Sequence, residues 1–291
     1  MSSLFELTGK VAVVTGATKG IGRAIAHELA ASGANVVVSS RAQTECDAYA
    51  TELNSLFGDE QEVARGLACD LDDLSGLEPF AGACIAVWGG IDILVCNAAV
   101  MPYIGPSSET PPQLFDRLLV TNVHHNFRLC QAVRPSMAVR GGGSIVLIGS
   151  VTGHVPSPLT LAYGLSKAAL AHMARSLAQE FVREKIRVNC IAPGTTHSYS
   201  TDTTYADPNA MQSAAEAVPL QRIGDPEDIA GTVVFLCSRA GSYMTGAVLP
   251  VDGGRATIDV GSRLQPLARA AGISAQHAAT HAASEHQGAR G

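Results

Sequence analysis

The chain has 291 residues, a length that fits one large α/β domain or two small ones. It is 46% hydrophobic and 16% charged, so it can bury a sizeable core and is not an intrinsically disordered chain. The net charge is −6 and the basic residues are scattered, which argues against a nucleic-acid-binding protein.

The sequence carries no signal of a membrane or secreted protein. No apolar run approaches the ~20 residues that cross a bilayer, and residues 1–10 lack the pattern of a secretory signal. The seven cysteines form no C-x-x-C pair, which favours buried, reduced thiols over disulfides or a metal cluster. We therefore predict a protein of the cytoplasm that binds no membrane and no nucleic acid.

Short apolar runs alternate with longer amphipathic segments along the chain. The runs predict strands buried on both faces, at Val11–Thr15, Asn35–Ser40, Glu62–Cys69, Ile91–Cys96, Gly143–Gly149, Ile186–Ile191 and Ala247–Val251. The segments predict helices at Ile21–Ser32, Ala42–Phe57, Leu74–Trp88, Gln113–Arg140, Leu161–Glu184 and Pro226–Ser238. This alternation predicts the α/β class, with a seven-stranded parallel sheet and helices on both faces in a single domain over residues 1–255.

Two segments break the alternation. Pro193–Pro219 is long, polar and rich in hydroxyl groups, which predicts a functional lid without regular structure. Residues 256–291 are rich in Ala, Ser and His and predict a flexible C-terminal extension. His277 and His281 lie four residues apart, but Glu285 is the one further ligand type close by, so we predict no metal site.

A glycine-rich turn follows the first predicted strand and opens the first predicted helix. It reads Thr-Gly-Ala-Thr-Lys-Gly-Ile-Gly over residues 15–22. Glycines at such a turn let the backbone approach a pyrophosphate, whose charge then faces the helix N-terminus. Because the turn stands inside a strand–turn–helix unit, it predicts a dinucleotide site rather than an ordinary tight turn.

The end of the second predicted strand bears on which dinucleotide is bound. A carboxylate there would bind the ribose 2′-hydroxyl of NAD, whereas this chain has Ser39, Ser40 and Arg41. A guanidinium group can bind a 2′-phosphate through its planar fork, and Lys19 in the glycine turn adds a second cation. We therefore predict NADP(H) in preference to NAD(H).

A tyrosine and a lysine stand at positions i and i+4 of a predicted helix, as Tyr163 and Lys167. They share one helix face, and an ammonium beside a phenol favours the phenolate and lowers its pKa toward the range for proton transfer. Ser150 ends the fifth predicted strand, at the sheet edge where open α/β folds bind ligands. A serine hydroxyl there can donate to a substrate carbonyl while Tyr163 supplies the proton.

Together these motifs resemble the short-chain dehydrogenase/reductase family from about Thr8 to Gly254. They occur in the family's order: the glycine turn, Asp70 after the third strand, Asn97-Ala98-Ala99 after the fourth, Asn122, Ser150, Tyr163-x-x-x-Lys167, and Pro193-Gly194 after the sixth strand. One departure is Cys96-Asn97-Ala98-Ala99, where the family usually has Asn-Asn-Ala-Gly. The resemblance implies a Rossmann fold and an oxidoreductase.

The resemblance also implies roles for single residues. Tyr163 would be the general acid/base and Ser150 the group that polarises the carbonyl. Lys167 would hold the nicotinamide ribose and lower the pKa of Tyr163, and Asn122 would support a water-mediated proton relay. The implied cofactor contacts are Gly16, Thr18, Lys19, Gly20, Ile21, Gly22, Ser40, Arg41, Asp70, Leu71, Asn97, Ala98, Tyr163, Lys167, Pro193, Gly194 and Thr196.

The favoured function is NADPH-dependent reduction of a small-molecule ketone or aldehyde, a reaction that is reversible as alcohol oxidation. A 3-oxoacyl-[acyl-carrier-protein] reductase shares every motif, and Gln179 stands where such an enzyme often has a basic residue. A non-catalytic NADP(H) sensor is a third alternative, although it would be expected to lose Ser150, Tyr163 or Lys167. From the resemblance we also expect a homo-oligomer, either a dimer or a tetramer. The substrate pocket is expected to involve Met101, Tyr103, Val151, His154, Pro156 and the segment 195–205.

Overall fold

A computed structural model gives the fold for residues 4–59, 61–101, 103–156, 159–197 and 207–257. Residues Met1–Ala256 form one compact unit. Apart from its first two residues, the predicted C-terminal extension lies outside the described residues, and so do His277 and His281.

Strands and helices alternate as the sequence predicts. The strands are β1 (Val11–Thr15), β2 (Asn35–Ser39), β3 (Ala64–Gly66), β4 (Ile93–Cys96), β5 (Gly143–Ile148), β6 (Ile186–Pro193) and β7 (Val248–Val251). The α-helices are α1 (Gly20–Ala31), α2 (Gln43–Phe57), α3 (Leu74–Trp88), α4 (Pro112–Leu119), α5 (Asn126–Val139), α6 (Leu161–Phe181), α7 (Pro208–Glu216) and α8 (Pro226–Cys237). Within the described ranges, no helix is long and apolar enough to cross a membrane.

All seven strands join one parallel sheet in the order β3-β2-β1-β4-β5-β6-β7. The chain builds outward from β1 in one direction and then from β4 in the other. This reversal of strand order opens a crevice outside the carboxyl ends of β1 and β4, which is where ligands bind in open α/β sheets. The predicted single-domain Rossmann fold is confirmed.

The sheet is buried on both faces because successive side chains of a strand point to opposite sides. Ala12 and Val14 of β1 pack on one face in a cluster with Ile25 of α1, whereas Val13 packs on the other face in a cluster with Leu129 of α5. This double burial explains why the strand sequences are almost continuously apolar.

The edge strand β3 is shorter than the predicted Glu62–Cys69. Two side chains of α2 cover its outer edge. Asn54 accepts hydrogen bonds from the Val63 and Ala64 amides at 2.8 and 2.9 Å, and Gln43 donates to the Gly66 carbonyl at 2.9 Å. The Asn54 and Gln43 side chains occupy backbone groups that a further strand would use, so this edge is protected from pairing with another chain.

The predicted helix Gln113–Arg140 is continuous but contains a wider turn. α4 passes into a π-helical segment, Val120–His125, and then into α5. Asn122 sits in this wide turn, and its backbone carbonyl accepts a 2.8 Å hydrogen bond from Nδ2 of Asn126. Such π-helical turns are rare and often occur at functional sites.

The predicted lid Pro193–Pro219 contains a helix, so the expectation of a segment without regular structure was wrong for its second half. Asp207 caps α7 by accepting from the Asn209 amide at 3.0 Å, and Pro208 occupies the first turn. Acidic caps followed by proline are a common helix start. Residues 198–206 of this segment lie outside the described residues.

A buried carboxylate holds together the opposite, amino-terminal edge of the sheet. Asp92 is 4% exposed and accepts a 2.9 Å hydrogen bond from the Val11 amide. It also pairs with Lys10 at 3.3 Å and Arg140 at 2.7 Å. Asp92 therefore ties the starts of β1 and β4 to the end of α5, far along the strands from the crevice.

Candidate active site

A cleft of about 890 Å³ lies outside the carboxyl ends of the strands. It brings together every predicted catalytic and cofactor-binding residue except Asn122, including residues that are far apart in the sequence. Those that line it are Gly16, Thr18, Lys19, Gly20, Ile21, Gly22, Ser40, Arg41, Asp70, Leu71, Asn97, Ala98, Ser150, Tyr163, Lys167, Pro193, Gly194 and Thr196. The cleft coincides with the crevice at which the strand order reverses.

The glycine turn between β1 and α1 depends on its glycines. Gly16 and Gly20 have φ angles of 64° and 53°, in the region that residues with a Cβ rarely adopt. A methyl group on Gly22 would collide with the Gly16 carbonyl oxygen and with Asn97. The turn therefore brings bare backbone to the N-terminus of α1, as a pyrophosphate site requires.

Asn97 holds the glycine turn from the neighbouring strand. Its Nδ2 donates to the carbonyl oxygens of Thr15 and Gly16 at 2.9 and 3.1 Å. The Asn97 and Ala98 amides in turn donate to Oγ1 of Thr15 at 3.0 and 3.1 Å. Asn97 is thus a positioning residue that joins the ends of β1 and β4, and its side-chain donors are committed to the turn.

At the end of β2, the cleft carries two cations and one carboxylate. Arg41 and Lys19 line it as predicted, but Lys19 Nζ pairs with Glu45 Oε1 of α2 at 3.0 Å. Thr18 Oγ1 donates to the second carboxylate oxygen at 3.3 Å. The hydrogen bond and charge of Lys19, together with the charge of Arg41, hold the pKa of Glu45 below its usual value. Glu45 is therefore ionised near neutral pH.

The residues after β3 form the next wall of the cleft. Asp70 accepts from the Asp72 amide at 3.0 Å, and the side chain of Asp72 pairs with Arg117 of α4 at 2.5 Å and accepts from Thr121. His125 is buried and hydrogen-bonded to the Leu71 carbonyl. These contacts fasten the loop of Asp70 and Leu71 to α4 and the π-helical segment.

Ser150, Tyr163 and Lys167 line the cleft together, away from the glycine turn in sequence. Ser150 Oγ accepts from Oγ1 and the amide of Thr152 at 2.9 and 3.2 Å. With its lone pairs engaged in this way, the hydroxyl of Ser150 has its own proton left to donate. The Ser150 hydroxyl also acts on Tyr163, where its hydrogen bond lowers the pKa of the phenol.

The electrostatics of Tyr163 and Lys167 differ from the expectation. Burial raises the pKa of Tyr163 to about 12 and outweighs the Ser150 hydrogen bond. Burial lowers the pKa of Lys167 to about 8. Lys167 Nζ lies 5.4 Å from the centre of the Tyr163 ring and donates to the Ile148 carbonyl at 2.8 Å. In this arrangement desolvation of the phenol dominates, so its pKa is raised rather than lowered.

Asn122 is fully buried and does not line the cleft. Its side chain accepts from the Val100 amide at 2.8 Å and donates to the Val100 carbonyl at 2.9 Å and to Ser166 Oγ at 3.2 Å. It therefore joins the loop after β4 to α6, which carries Tyr163 and Lys167. Sequence reasoning predicts its presence at the site but not this bridging position.

The end of β6 closes the cleft. The Gly194 amide donates to the Val251 carbonyl at 3.0 Å, and a methyl group on Gly194 would lie 2.6 Å from the Asp252 Cα atom. Thr196 Oγ1 donates to the Gly194 carbonyl at 3.2 Å. Glycine is thus required where β6 passes close to the chain that follows β7.

The expected substrate pocket is described in part. Met101, Thr195 and Thr196 line the cleft, whereas Tyr103, Val151, His154 and Pro156 do not. Val151 is instead buried in the fold. Residues 198–205 of the expected pocket lie outside the described residues.

Glu45 and Thr152 are the residues of this site that sequence reasoning missed. Glu45 is the acidic residue in the first turn of α2, where a helix N-terminus favours a carboxylate. Thr152 stands two residues after Ser150, a separation typical of local hydroxyl hydrogen bonds. Both signals were available in the sequence, but neither is specific without the fold.

The donor set of the cleft fits a dinucleotide. Its glycine turn presents backbone at a helix N-terminus, where Gly22 leaves no room for a Cβ. Ser39 Oγ is buried at the end of β2 without a hydrogen-bond partner among the described residues, so a polar ligand group could satisfy it. Tyr163 and Ser150 supply a proton donor and a hydrogen-bond donor at the other end, an arrangement suited to carbonyl chemistry.

Comparison with known families and proteins agrees with this site. The family model described as "Enoyl-(Acyl carrier protein) reductase" matches residues 16–256. The bovine protein "Dehydrogenase/reductase SDR family member 4" is 40% identical over 248 residues, which cover 85% of this chain and 88% of the bovine protein. The human mitochondrial SDR family member 2 is 37% identical, covering 85% of this chain and 86% of that protein.

Two solved structures with bound cofactors share the fold. The RhlG/NADP active-site complex of Pseudomonas aeruginosa has a TM-score of 0.83 at 34% identity, covering 88% of this chain and 100% of that one. A 7α-hydroxysteroid dehydrogenase complexed with NADH and 7-oxo glycochenodeoxycholic acid has a TM-score of 0.79 at 35% identity, covering 87% and 97%. The chain is a member of the short-chain dehydrogenase/reductase family of oxidoreductases.

Proposed function

We propose that this protein is an NADPH-dependent reductase of small-molecule ketones or aldehydes, reversible as an alcohol dehydrogenase. The observation that carries the proposal is the meeting of Ser150, Tyr163 and Lys167 with the glycine turn in one cleft. A proton donor, a carbonyl-polarising hydroxyl and a dinucleotide cradle are the groups that such a reaction needs.

In this proposal the cofactor lies along the cleft from the end of β2 to the end of β6. NADPH supplies the hydride when bound. Arg41 and Lys19 bind the 2′-phosphate, and the backbone at Gly16–Gly22 faces the pyrophosphate. Further along, Asp70, Leu71, Asn97 and Ala98 flank the adenosine and the middle of the cofactor, while Lys167, Pro193, Gly194 and Thr196 flank the nicotinamide ribose and ring.

Two side chains of the cleft can donate to the carbonyl oxygen during reduction. Since the pKa of Tyr163 is raised to about 12, the phenol is protonated near neutral pH and can donate its proton to the carbonyl oxygen. Ser150 donates a hydrogen bond to the same oxygen, because its own acceptor positions are engaged by Thr152. These two donors stabilise the negative charge that develops on the oxygen.

We propose for Asn122 a positioning role together with the implied proton relay. Its side chain connects the Val100 backbone to Ser166 of α6, so it fixes the loop beside Asn97 relative to the helix of Tyr163. Loss of this bridge would shift the groups that the reaction must align to within a fraction of an ångström.

A second candidate is a reductase of acyl-carrier-protein substrates. The name of the matching family model favours it. An acidic carrier protein would dock on basic side chains. Arg175 of α6 is exposed and could serve this purpose, whereas Gln179, one turn further along the helix, carries no charge. An acetoacetyl thioester in the substrate panel separates this candidate from the first.

We also propose a homo-oligomer, a dimer or a tetramer, located in the cytoplasm. Apolar side chains are exposed at the ends of the two long helical segments Gln113–Arg140 and Leu161–Glu184, with Val139 at 89% and Val182 at 53%. Exposed apolar surface of this kind favours association. Sedimentation of the purified chain tests the oligomeric state.

The test of the function is a titration of purified protein with NADPH and with NADH, followed by turnover of a panel of ketones, aldehydes, diketones and an acetoacetyl thioester. Tighter binding of NADPH with turnover of a carbonyl compound supports the proposal. Turnover of the thioester alone favours the acyl-carrier alternative. Binding without turnover of any compound would count against a reductase and favour an NADP(H) sensor.

A further inference from the structure

The carboxylate of Glu45 lies in the part of the cleft where the two cofactors NADPH and NADH differ. It lines the cleft beside Lys19, Ser40 and Arg41, and its Oε1 is 3.0 Å from Lys19 Nζ. The preference for NADPH is predicted from two cations, Lys19 and Arg41. The structure adds the negative charge of Glu45, so the three charged side chains together carry a formal charge of +1.

This carboxylate acts on both cations at once. The hydrogen bond from Lys19 and the charge of Arg41 lower the pKa of Glu45, so it carries its full charge near pH 7. It also stands in the first turn of α2, where a helix N-terminus stabilises an anion. Glu45 is therefore a fixed negative charge close to the groups that would receive a 2′-phosphate.

We infer that Glu45 sets the strength of the cofactor preference, weakening the binding of the 2′-phosphorylated cofactor by competing for Lys19 and repelling the phosphate. This inference rests on the proposed dinucleotide site. Arg41 then accounts for most of the preference for NADPH over NADH, and Lys19 contributes fully only when Glu45 is removed. With Glu45 present, the preference for NADPH is weaker than two free cations would give.

The effect of Glu45 on binding of the 2′-phosphate is small because Lys19 and Glu45 are both partly exposed to solvent. The Lys19 and Glu45 side chains are 46% and 45% exposed, and ion pairs in such positions are weak because water and salt screen them. A phosphate can therefore draw Lys19 away from Glu45 at a small cost. We expect removal of the carboxylate to tighten binding of a 2′-phosphate by about 3- to 10-fold.

The test compares two nucleotides that differ only in the 2′-phosphate, adenosine 2′,5′-bisphosphate and adenosine 5′-monophosphate, by titration calorimetry on the full chain. For Glu45→Gln we expect the Kd of the bisphosphate to fall by about 3- to 10-fold, and that of the monophosphate to change by less than about 2-fold. The gain should shrink as salt is raised. Measured against Lys19→Gln, the double variant Lys19→Gln/Glu45→Gln should show a smaller gain, because competition for Lys19 is absent and repulsion of the phosphate alone is relieved.

Glu52→Gln is the matched control. Glu52 belongs to the same helix and pairs with Arg23 at 2.6 Å with similar exposure, but it does not line the cleft. This variant removes the same charge and should leave both Kd values within about 2-fold. Thermal unfolding of each variant checks that the fold is retained.

The inference is overturned if Glu45→Gln leaves the bisphosphate affinity unchanged or weakens it, since Glu45 would then serve to hold Lys19 in place. An equal gain for both nucleotides, or an equal gain in the Glu52 variant, also overturns it. If the wild-type chain binds neither nucleotide, the proposed function fails as well. Normal wild-type binding with no selective gain overturns the role of Glu45 alone.

Discussion

The ammonium group of Lys167 donates a 2.8 Å hydrogen bond to the carbonyl oxygen of Ile148, the last residue of β5. This bond anchors α6 to the strand that leads into Ser150. Lys167 is 3% exposed and has no carboxylate partner among the described residues. Burial lowers its pKa to about 8, with Cys190 and Cys96 opposing the shift. The central lysine of the site is therefore held at a cost to folding.

That cost predicts a pH dependence of stability. The pKa of Lys167 is about 8 when folded and 10.5 ordinarily, so between these values the unfolded chain binds the extra proton and the contribution of Lys167 to stability rises with pH. We expect the difference in free energy of unfolding between the wild type and Lys167→Met to shift in favour of the wild type by about 2–3 kcal/mol from pH 7 to pH 11. Urea unfolding of both proteins across this range measures the shift. A difference that stays constant with pH would refute it.

Replacing Tyr163 by phenylalanine removes the proposed proton donor and keeps the ring. We expect Tyr163→Phe to lower kcat for carbonyl reduction by about 100-fold or more, with the Kd of NADPH changed by less than about 3-fold. Steady-state kinetics and a fluorescence titration measure the two quantities separately. Retention of most of the activity would assign the acid to another group.

Ser150 and Thr152 form a pair in which one hydroxyl orients the other. Thr152→Val removes the 2.9 Å hydrogen bond to Ser150 Oγ with little change of shape, so the Ser150 proton is no longer directed to one acceptor. We expect kcat to fall by about 3- to 10-fold with KM unchanged, and Thr152→Ser to restore most of it. A Thr152→Ser variant as impaired as Thr152→Val would indicate a packing role instead.

Reversing the charge of Arg41 tests the selection of the cofactor. Arg41→Asp replaces a phosphate-binding guanidinium by a carboxylate that can bind a ribose hydroxyl. We expect the Kd of NADPH to rise by about 10- to 100-fold, so that NADH becomes the better cofactor. Arg128→Asp makes the same change on α5, outside the cleft, and should leave the preference as it is. An Arg41 variant that still prefers NADPH by the wild-type margin would move the selection to other groups.

The glycine turn has a steric requirement that a single methyl group can test. Gly22→Ala places a Cβ against the Gly16 carbonyl, and we expect it to weaken binding of either cofactor by at least about 10-fold and to lower the free energy of unfolding by about 1–3 kcal/mol. Gly82→Ala is the control, because nothing lies within 4 Å of a Cβ built there in α3. It should raise the free energy of unfolding by about 0.5–1 kcal/mol. Cofactor titration and urea unfolding of both variants decide between strain at the turn and a general effect of alanine.

The parallel sheet and the ligand cleft at its carboxyl edge could be predicted from the sequence, because both follow from local patterns repeated along the chain. The apolar runs mark strands buried on two faces, and parallel strands bring their carboxyl ends to one edge, where Asn97 and Ser150 meet. The Asp207-Pro208 start of α7 was also visible but was outweighed by the polar composition around it.

Other features depend on contacts that no local pattern encodes. The outer edge of β3 is covered from α2, by Asn54 at the start of the strand and by Gln43 at its end. The raised pKa of Tyr163 follows from desolvation, which the helical spacing of Tyr163 and Lys167 does not reveal. The pairing of Lys19 with Glu45 joins the glycine turn before α1 to the first turn of α2. Each is a tertiary effect that outweighs the local preference.

The carboxylate of Asp92 and the proposed reaction centre stand at opposite ends of the same strands. At the amino-terminal edge of the sheet, Asp92 forms ion pairs with Lys10 and Arg140 and accepts a hydrogen bond from the Val11 amide. Every group assigned to the cofactor or the substrate lies at the carboxyl edge. The ion pairs of Asp92 and the proposed reaction centre are thus separated by the length of the strands. Surface positions around Asp92 can therefore be engineered for heat tolerance without touching any group that lines the cleft.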